Sequence, residues 1–269
     1  MICNLTDRAL LRLSGSDAEN FLQAQLGNDI TKLNAGSVQL SAYCQHQGKI
    51  LALFWVIRDA DDFLLSFPSD LVESLLPRLR MFVLMSDVTI EDIGNKYMQI
   101  GHIDENIDNT HYINQRLSVG LIESENSCNI EFSDHSEWMK ACIETSLPEV
   151  YSATAELFVP QMLNLDIDEV GVNFSKGCYP GQEVVARLHY LGKAKRRLFA
   201  FRLQQSLTIG DYLYCESSKS AKASGIVVSL VKCDSEFLCL ATLEVLHKDD
   251  LITLDGTNGA ILKRIENNE

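Results

Sequence analysis

The run FSKGCYPGQEVVARLHYLGKAKRRL, from Phe174 to Leu198, is the densest motif in the chain. Gly177, Pro180 and Gly181 force a tight, irregular backbone around Cys178. Gln182 to Tyr190 then reads as a helix, with Val184, Val185 and Leu188 available for burial. Cys178 is therefore expected just before a helix N-terminus, with Lys176 beside it. A helix dipole and a neighbouring cation both favour a thiolate. Glu183 falls in the first helical turn, where it suits either a helix cap or an acceptor for a bound heterocycle. A lone cysteine ahead of a helix also suits a structural role. The crowding of Lys176, Tyr179, Gln182 and Glu183 around this one favours function.

Outward from the motif, charge is uneven. The chain carries a formal net charge of −14, which disfavours bulk binding to nucleic acid. Yet Lys176, Arg187, Lys193, Lys195, Arg196, Arg197 and Arg202 share a window whose only acid is Glu183. Such a patch suits an anionic ligand, and equally a solvated helix end followed by a strand.

A chain of 269 residues with 46% hydrophobic content can bury a sizeable core. Its length suits on the order of one to three domains. No apolar run approaches the roughly 20 residues that span a bilayer; the longest, Ile50 to Ile57, fits a buried strand. The N-terminus shows no signal-peptide pattern, so a cytoplasmic protein without membrane attachment is expected. The 8 cysteines (Cys3, Cys44, Cys128, Cys142, Cys178, Cys215, Cys233 and Cys239) form no CxxC pair and read as reduced thiols, mostly acting as small hydrophobes. No Cys/His group has zinc or cluster spacing, so no stable metal site is expected. Neither a P-loop nor a Rossmann fingerprint is present.

Local patterns predict an α+β organisation. Ala9 to Leu13 reads as a strand, and Ser16 with Glu19 as a capping box for a helix that stops at Gly27 and Asn28. Val38 to Cys44, Ile50 to Arg58, Phe63 to Phe67, Val88 to Ile93 and Tyr97 to Ile103 read as strands. Ser69 can cap a helix carrying Leu71, Leu75 and Leu79, whose second half Pro77 leaves open. Residues 104 to 131 are polar and resist assignment. Asp134 can cap a helix containing Trp138. Beyond Arg197, short runs at Leu198 to Leu203, Asp211 to Cys215, Gly225 to Val231, Phe237 to Thr242, Leu251 to Leu254 and Gly259 to Ile265 suggest a small antiparallel barrel or sandwich. A domain boundary is expected near Lys193 to Arg197.

The octapeptide KGCYPGQE, residues 176 to 183, resembles the signature of the YgfZ family, relatives of the glycine-cleavage T-protein. Pro160-Gln161 with Asn164-Leu165, Val185-Ala186-Arg187 and Lys195-Arg196 resemble its flanks. Leu13 to Asp17, Phe21 to Gln25 and Gly48-Lys49 resemble its opening. The resemblance covers essentially the whole chain, with residues near 100 to 135 poorly matched. It implies a T-protein-like α+β fold: residues 1 to 195 as two interleaved α+β subdomains, one ferredoxin-like, and 196 to 269 as a C-terminal antiparallel β-barrel. It also implies a central channel for tetrahydrofolate or a one-carbon derivative. The implied role is support for iron–sulfur enzymes or their assembly proteins and for dependent tRNA modification, with transient tRNA contact. Cys178 would be the functional thiol, flanked by Lys176 and Glu183. Folate contacts would come from Trp138, Tyr179, Gln182, Glu183, Arg187 and Arg8, the last standing where some members carry an aromatic residue.

True T-proteins carry a catalytic aspartate in the segment corresponding to Tyr43 to Arg58, which here holds no Asp or Glu. That argues against ordinary aminomethyl transfer. A one-carbon transferase relying on Glu183 or Asp166 stays open as a second reading. A non-catalytic RNA- or protein-binding module using Lys193 to Arg197 is a third.

Overall fold

The computed structural model describes residues 1–84, 86–105, 110–126, 130–218, 223–254, 256 and 259–265; Cys128 lies outside them. In chain order the elements are β1 (Ile2–Asn4), β2 (Arg8–Ser14), α1 (Ala18–Gln25), β3 (Val38–Cys44), β4 (Ile50–Asp59), β5 (Asp62–Pro68), α2 (Val72–Phe82), β6 (Thr89–Asp92), β7 (Tyr97–Ile103), β8 (His111–Tyr112) and β9 (Leu117–Glu123). There follow α3 (His135–Glu144), α4 (Gln182–Leu191), β10 (Arg196–Leu203), β11 (Tyr212–Cys215), β12 (Gly225–Cys233), β13 (Glu236–Glu244), β14 (Ile252–Leu254) and β15 (Ile261–Arg264). No helix among the described residues is long and apolar enough to cross a membrane.

β3-β4-β5-β2-β6 form an antiparallel sheet of five strands. Successive side chains of a strand point to opposite faces. Leu11, Leu13, Phe54, Val56, Phe63, Leu65 and Phe67 join the core beneath α1 and α2. Leu10, Leu53, Trp55, Ile57 and Leu64 join a second core on the other face. Both faces are covered, so β4 is apolar at successive positions instead of alternating.

The second sheet, β1-β7-β9-β8, takes its first strand from the start of the chain and the rest from residues beyond β6. The two sheets are therefore interleaved. β1 has only three residues and β9 lies in the polar stretch that resisted assignment, so neither carries a pattern long enough to read.

β10-β13-β12-β11-β14-β15 close into a barrel, with β15 pairing back onto β10. Phe201, Leu213, Val227, Cys239, Leu243 and Leu254 fill it. Leu198, Val228 and Leu240 face outward into the core shared with α3 and the sheets. Closure leaves no free sheet edge, which decides for a barrel over a sandwich.

Local details differ from expectation in two places. Ser16 does not cap α1: its hydroxyl donates to Asp87 Oδ2 at 2.9 Å, while Asp17 accepts from Asp87 N–H at 2.8 Å. The cause is Gly15, at φ +115°, where a Cβ would stand 2.1 Å from Asp87 O, so the two loops touch backbone to backbone. Ser69 opens a 3-10 turn (Ser69–Leu71) without a side-chain cap. Pro77 does not end α2, because it sits on the exposed face while Leu75 and Leu79 hold the helix in the core. Asp134 does cap α3, accepting from Ser136 N–H at 2.8 Å.

Candidate functional site

The loop ahead of α4 is fixed by contacts to distant parts of the chain. Gly181, at φ +84°, begins the helix; a Cβ there would lie 2.5 Å from Gln45 O and 2.7 Å from Gly48 Cα. The Gly48-Lys49 turn is thus pressed against the octapeptide. Gln161, buried, donates to Val185 O at 2.8 Å, and its own carbonyl accepts from Arg197 at 3.0 Å. Asn164 donates to Leu198 O at 3.0 Å. The scattered short motifs of the sequence meet here as one latch joining the sheets, α4 and the barrel.

Lys176 is part of that latch. Its ammonium turns away from solvent and donates to the carbonyls of Gln23 (2.7 Å), Leu26 (2.5 Å) and Asn28 (2.9 Å), at the C-terminal end of α1. Burial pushes its pKa down to about 8, with Asp29 opposing. The expected free cation beside Cys178 is instead a pin for α1, because helix-end carbonyls need donors. Tyr179 is buried, and burial pushes its phenol up. Gln182 is half-buried, whereas Glu183 and Arg187 are exposed on α4. Cys178 itself is exposed. Cys3, Cys44, Cys142, Cys215 and Cys239 are buried, and burial pushes Cys44 and Cys239 up to about 12.

Trp138 and Arg8 meet elsewhere. Trp138 is 2% exposed and lies over Gly101, where a Cβ would come within 2.4 Å of the indole. It packs edge-on to Trp55, with centroids 5.9 Å apart. The Arg8 guanidinium stacks 3.4 Å above Trp55, pairs with Glu149, and donates to Ser66 Oγ at 2.7 Å and Ser66 O at 3.0 Å. Burial raises the Glu149 pKa and Arg8 opposes it. The cavity left between them is about 20 Å³, room for one water but not for a pteridine. Arg8 is therefore committed inward and presents no cation to a ligand's glutamate tail. Trp138 likewise offers no open ring face.

A larger space adjoins this one, sharing Leu147 and Pro148 with it. It is a groove of about 550 Å³ between the five-stranded sheet, the end of α3 and the chain leading into the motif. Its size is ordinary for a small-molecule site. Leu40, Ile113, Leu163, Leu165 and Val170 form apolar walls, and Gln39, Asn114, Ser146 and Asn164 add polar points. Gln39 Oε1 is buried without a partner. Beside the rim, Arg116 is bonded to Asp104 at 2.9 Å and Glu144 at 3.0 Å. Tyr179, Gln182, Glu183 and Arg187 line neither space. Gln39 and Asn114 belong to no recognisable motif, so the sequence did not single them out. Asn164 and its neighbours lay in the quoted Pro160 segment, but nothing there marked them as a wall.

Comparisons with known proteins agree with this architecture. No protein-family model matches the sequence. An uncharacterized protein of Haemophilus influenzae is 32% identical over 256 residues, 92% of this chain and 89% of that one. The tRNA-modifying protein YgfZ of Colwellia psychrerythraea is 26% identical, covering 87% of this chain and 82% of its own. Its Escherichia coli counterpart is 24% identical, covering 86% and 81%. The chain belongs to the YgfZ family. Among solved structures, the glycine cleavage system aminomethyltransferase T from Bartonella henselae superposes with a TM-score of 0.72 at 12% identity, over 98% of this chain and 84% of that chain. At that identity the likeness is one of fold alone. The YgfZ-type chain thus carries a T-protein-like fold in which the octapeptide is a latch with one exposed thiol.

Proposed function

We propose that this chain binds a reduced folate and acts in tRNA modification, with Cys178 as a functional thiol in support of iron–sulfur enzymes or their assembly proteins. The observation that carries the reading is the octapeptide itself. Lys176, Tyr179 and Gly181 are consumed in fixing the loop, and Cys178 is left exposed at the head of α4. Relatives named as tRNA-modifying proteins over most of both chains support it.

The groove of about 550 Å³ fits the folate. Gln39 Oε1 is an unused acceptor for a pterin N–H, and the apolar walls would sandwich a flat heterocycle. Bound tetrahydrofolate supplies amine nitrogens able to carry a one-carbon unit. The groove's described lining contains no Asp or Glu. Asp166 is held by Arg197, and Glu183 is exposed on α4. No carboxylate is therefore placed for proton handling at the folate, and aminomethyl transfer is not expected. Arg187, Lys193 and Lys195, all exposed, give a transient tRNA contact its charge.

The test has two arms. Tetrahydrofolate should bind the purified chain and change the fluorescence of Trp55 and Trp138, and Gln39→Leu should weaken it roughly tenfold. No binding at millimolar folate sinks the ligand assignment. Cys178→Ala should melt as the wild type does yet fail to support an iron–sulfur-dependent tRNA thiomodification in cells. A fully complementing Cys178→Ala removes the thiol from the function.

A further inference from the structure

At the rim of the barrel, away from the latch and the groove, four polar atoms converge. Cys215 Sγ stands at the end of β11. His247 Nδ1 comes from the 3-10 turn Val245–His247, and Asp250 Oδ2 from the turn that follows it. Sγ to Oδ2 is 3.5 Å and Nδ1 to Oδ2 is 2.9 Å. Ser217 Oγ lies 3.0 Å from Sγ and 3.1 Å from Nδ1, and donates to the same Oδ2. Cys215 and His247 are buried, whereas Asp250 reaches in from the surface.

We propose that Cys215, His247 and Asp250 form a Zn²⁺ site, with Ser217 Oγ or a water as fourth ligand. Zn²⁺ bonds of about 2.3 Å to sulfur and about 2.0 Å to nitrogen or oxygen, at tetrahedral angles, set ligand atoms about 3.3–3.5 Å apart. Sγ and Oδ2, at 3.5 Å, stand at that spacing; Nδ1, at 2.9 Å from Oδ2, and Ser217 Oγ, held closer still to Oδ2 by its hydrogen bond, would move outward to admit the ion. A thiolate, an imidazole and a carboxylate are a donor set suited to zinc, and the two anions balance the charge of one Zn²⁺. A ligating imidazole commonly turns its other nitrogen to a carboxylate. Here His247 Nε2 is 3.8 Å from Glu244 Oε2, and Glu244 Oε1 is fixed by Arg196 at 3.2 Å. The site ties three pieces of chain across the barrel rim. The spacing of Cys215 and His247 in sequence matches no linear zinc motif; β11 and the turn after β13 bring them together only once the barrel closes.

The experiment uses the full metal-free chain, titrated with Zn²⁺ against a chromophoric chelator and, separately, with Co²⁺. One equivalent of Zn²⁺ should bind, and the Co²⁺ form should show a sulfur-to-metal charge-transfer band. Cys215→Ser should abolish the band and Cys178→Ser should leave it. Asp250→Asn, at an exposed position that spares the fold, should weaken Zn²⁺ at least tenfold, and Glu244→Gln about tenfold. Zn²⁺ should raise the Tm of the wild type and not that of Asp250→Asn. A folded wild-type chain that takes up less than one equivalent, a Co²⁺ complex without sulfur character, or a band that survives Cys215→Ser overturns the assignment.

Discussion

Lys176 and Arg8 are both buried cations, and the protein holds them in opposite ways. Arg8 has a carboxylate partner, Glu149, an aromatic face, Trp55, and two acceptors on Ser66. Lys176 has the carbonyl oxygens of Gln23, Leu26 and Asn28. A full negative charge compensates the first; peptide dipoles compensate the second. The Trp138 region is thereby a closed core built around an ion pair, whereas the latch is held by a lone charge that burial has made easier to lose. The difference shows why a basic residue in a conspicuous sequence position need not meet a ligand: both of these meet the protein.

The comparison breaks most sharply at Arg8. Arg8→Met strands Glu149 in the core, and the expected loss is about 3–5 kcal/mol in denaturant unfolding. Adding Glu149→Leu should recover most of it. Recovery absent in the double variant would mean that the Trp55 stack, not the ion pair, does the holding. Lys176→Met leaves three carbonyls at the end of α1 without their donor, at a cost of about 3 kcal/mol. Faster amide exchange should then appear around Leu26 and Asn28, and the barrel should be unaffected. Gly181→Ala forces a side chain against Gln45 O at a left-handed position, for about 1–3 kcal/mol. A smaller loss would mean that the Gly48 turn gives way.

The latch also carries a pH dependence. The folded Lys176 pKa is depressed to about 8 from an ordinary 10.5. Between those values the unfolded chain holds more protons than the folded one, so this lysine's contribution to stability rises with pH across that window. The buried thiols act the other way. Cys44 and Cys239, raised to about 12 from an ordinary 9.0, contribute stability that is present below pH 9 and lost as pH climbs toward 12. The lysine term is isolated by comparing wild type with Lys176→Met from pH 7 to 10. Their stability difference should grow with pH, and a flat difference would show that the carbonyls cancel the desolvation.

Much of the fold was legible because its elements carry long patterns. β4, the helix around Leu75 and Leu79, and the six barrel strands each announce themselves by periodicity or by turn chemistry at their ends. β1 and β9 did not, since three residues or a weak alternation in a polar stretch specify a strand only through a partner. The candidate site was legible in identity but not in direction. Nothing in KGCYPGQE says that Lys176 turns toward α1, because the carbonyls that receive it lie about 150 residues away in the chain. Gln39 was invisible for a related reason: a glutamine in a strand becomes notable only when its oxygen is found without a donor.

The interleaving of the two sheets sets a timetable for synthesis. Cys3 in β1 pairs with Gly101 in β7, so β1 has no place to go until β7 has left the ribosome. At elongation rates of about 5–20 residues per second, that wait is about 5–20 s. Meanwhile β2 to β6 can assemble their sheet with α1 and α2. The face carrying Leu10, Trp55 and Leu64 stays bare until β7, α3 and the barrel cover it. A chain stalled near residue 96 would present an apolar sheet face and a loose β-strand together, a combination that invites capture by chaperones or by a second nascent copy.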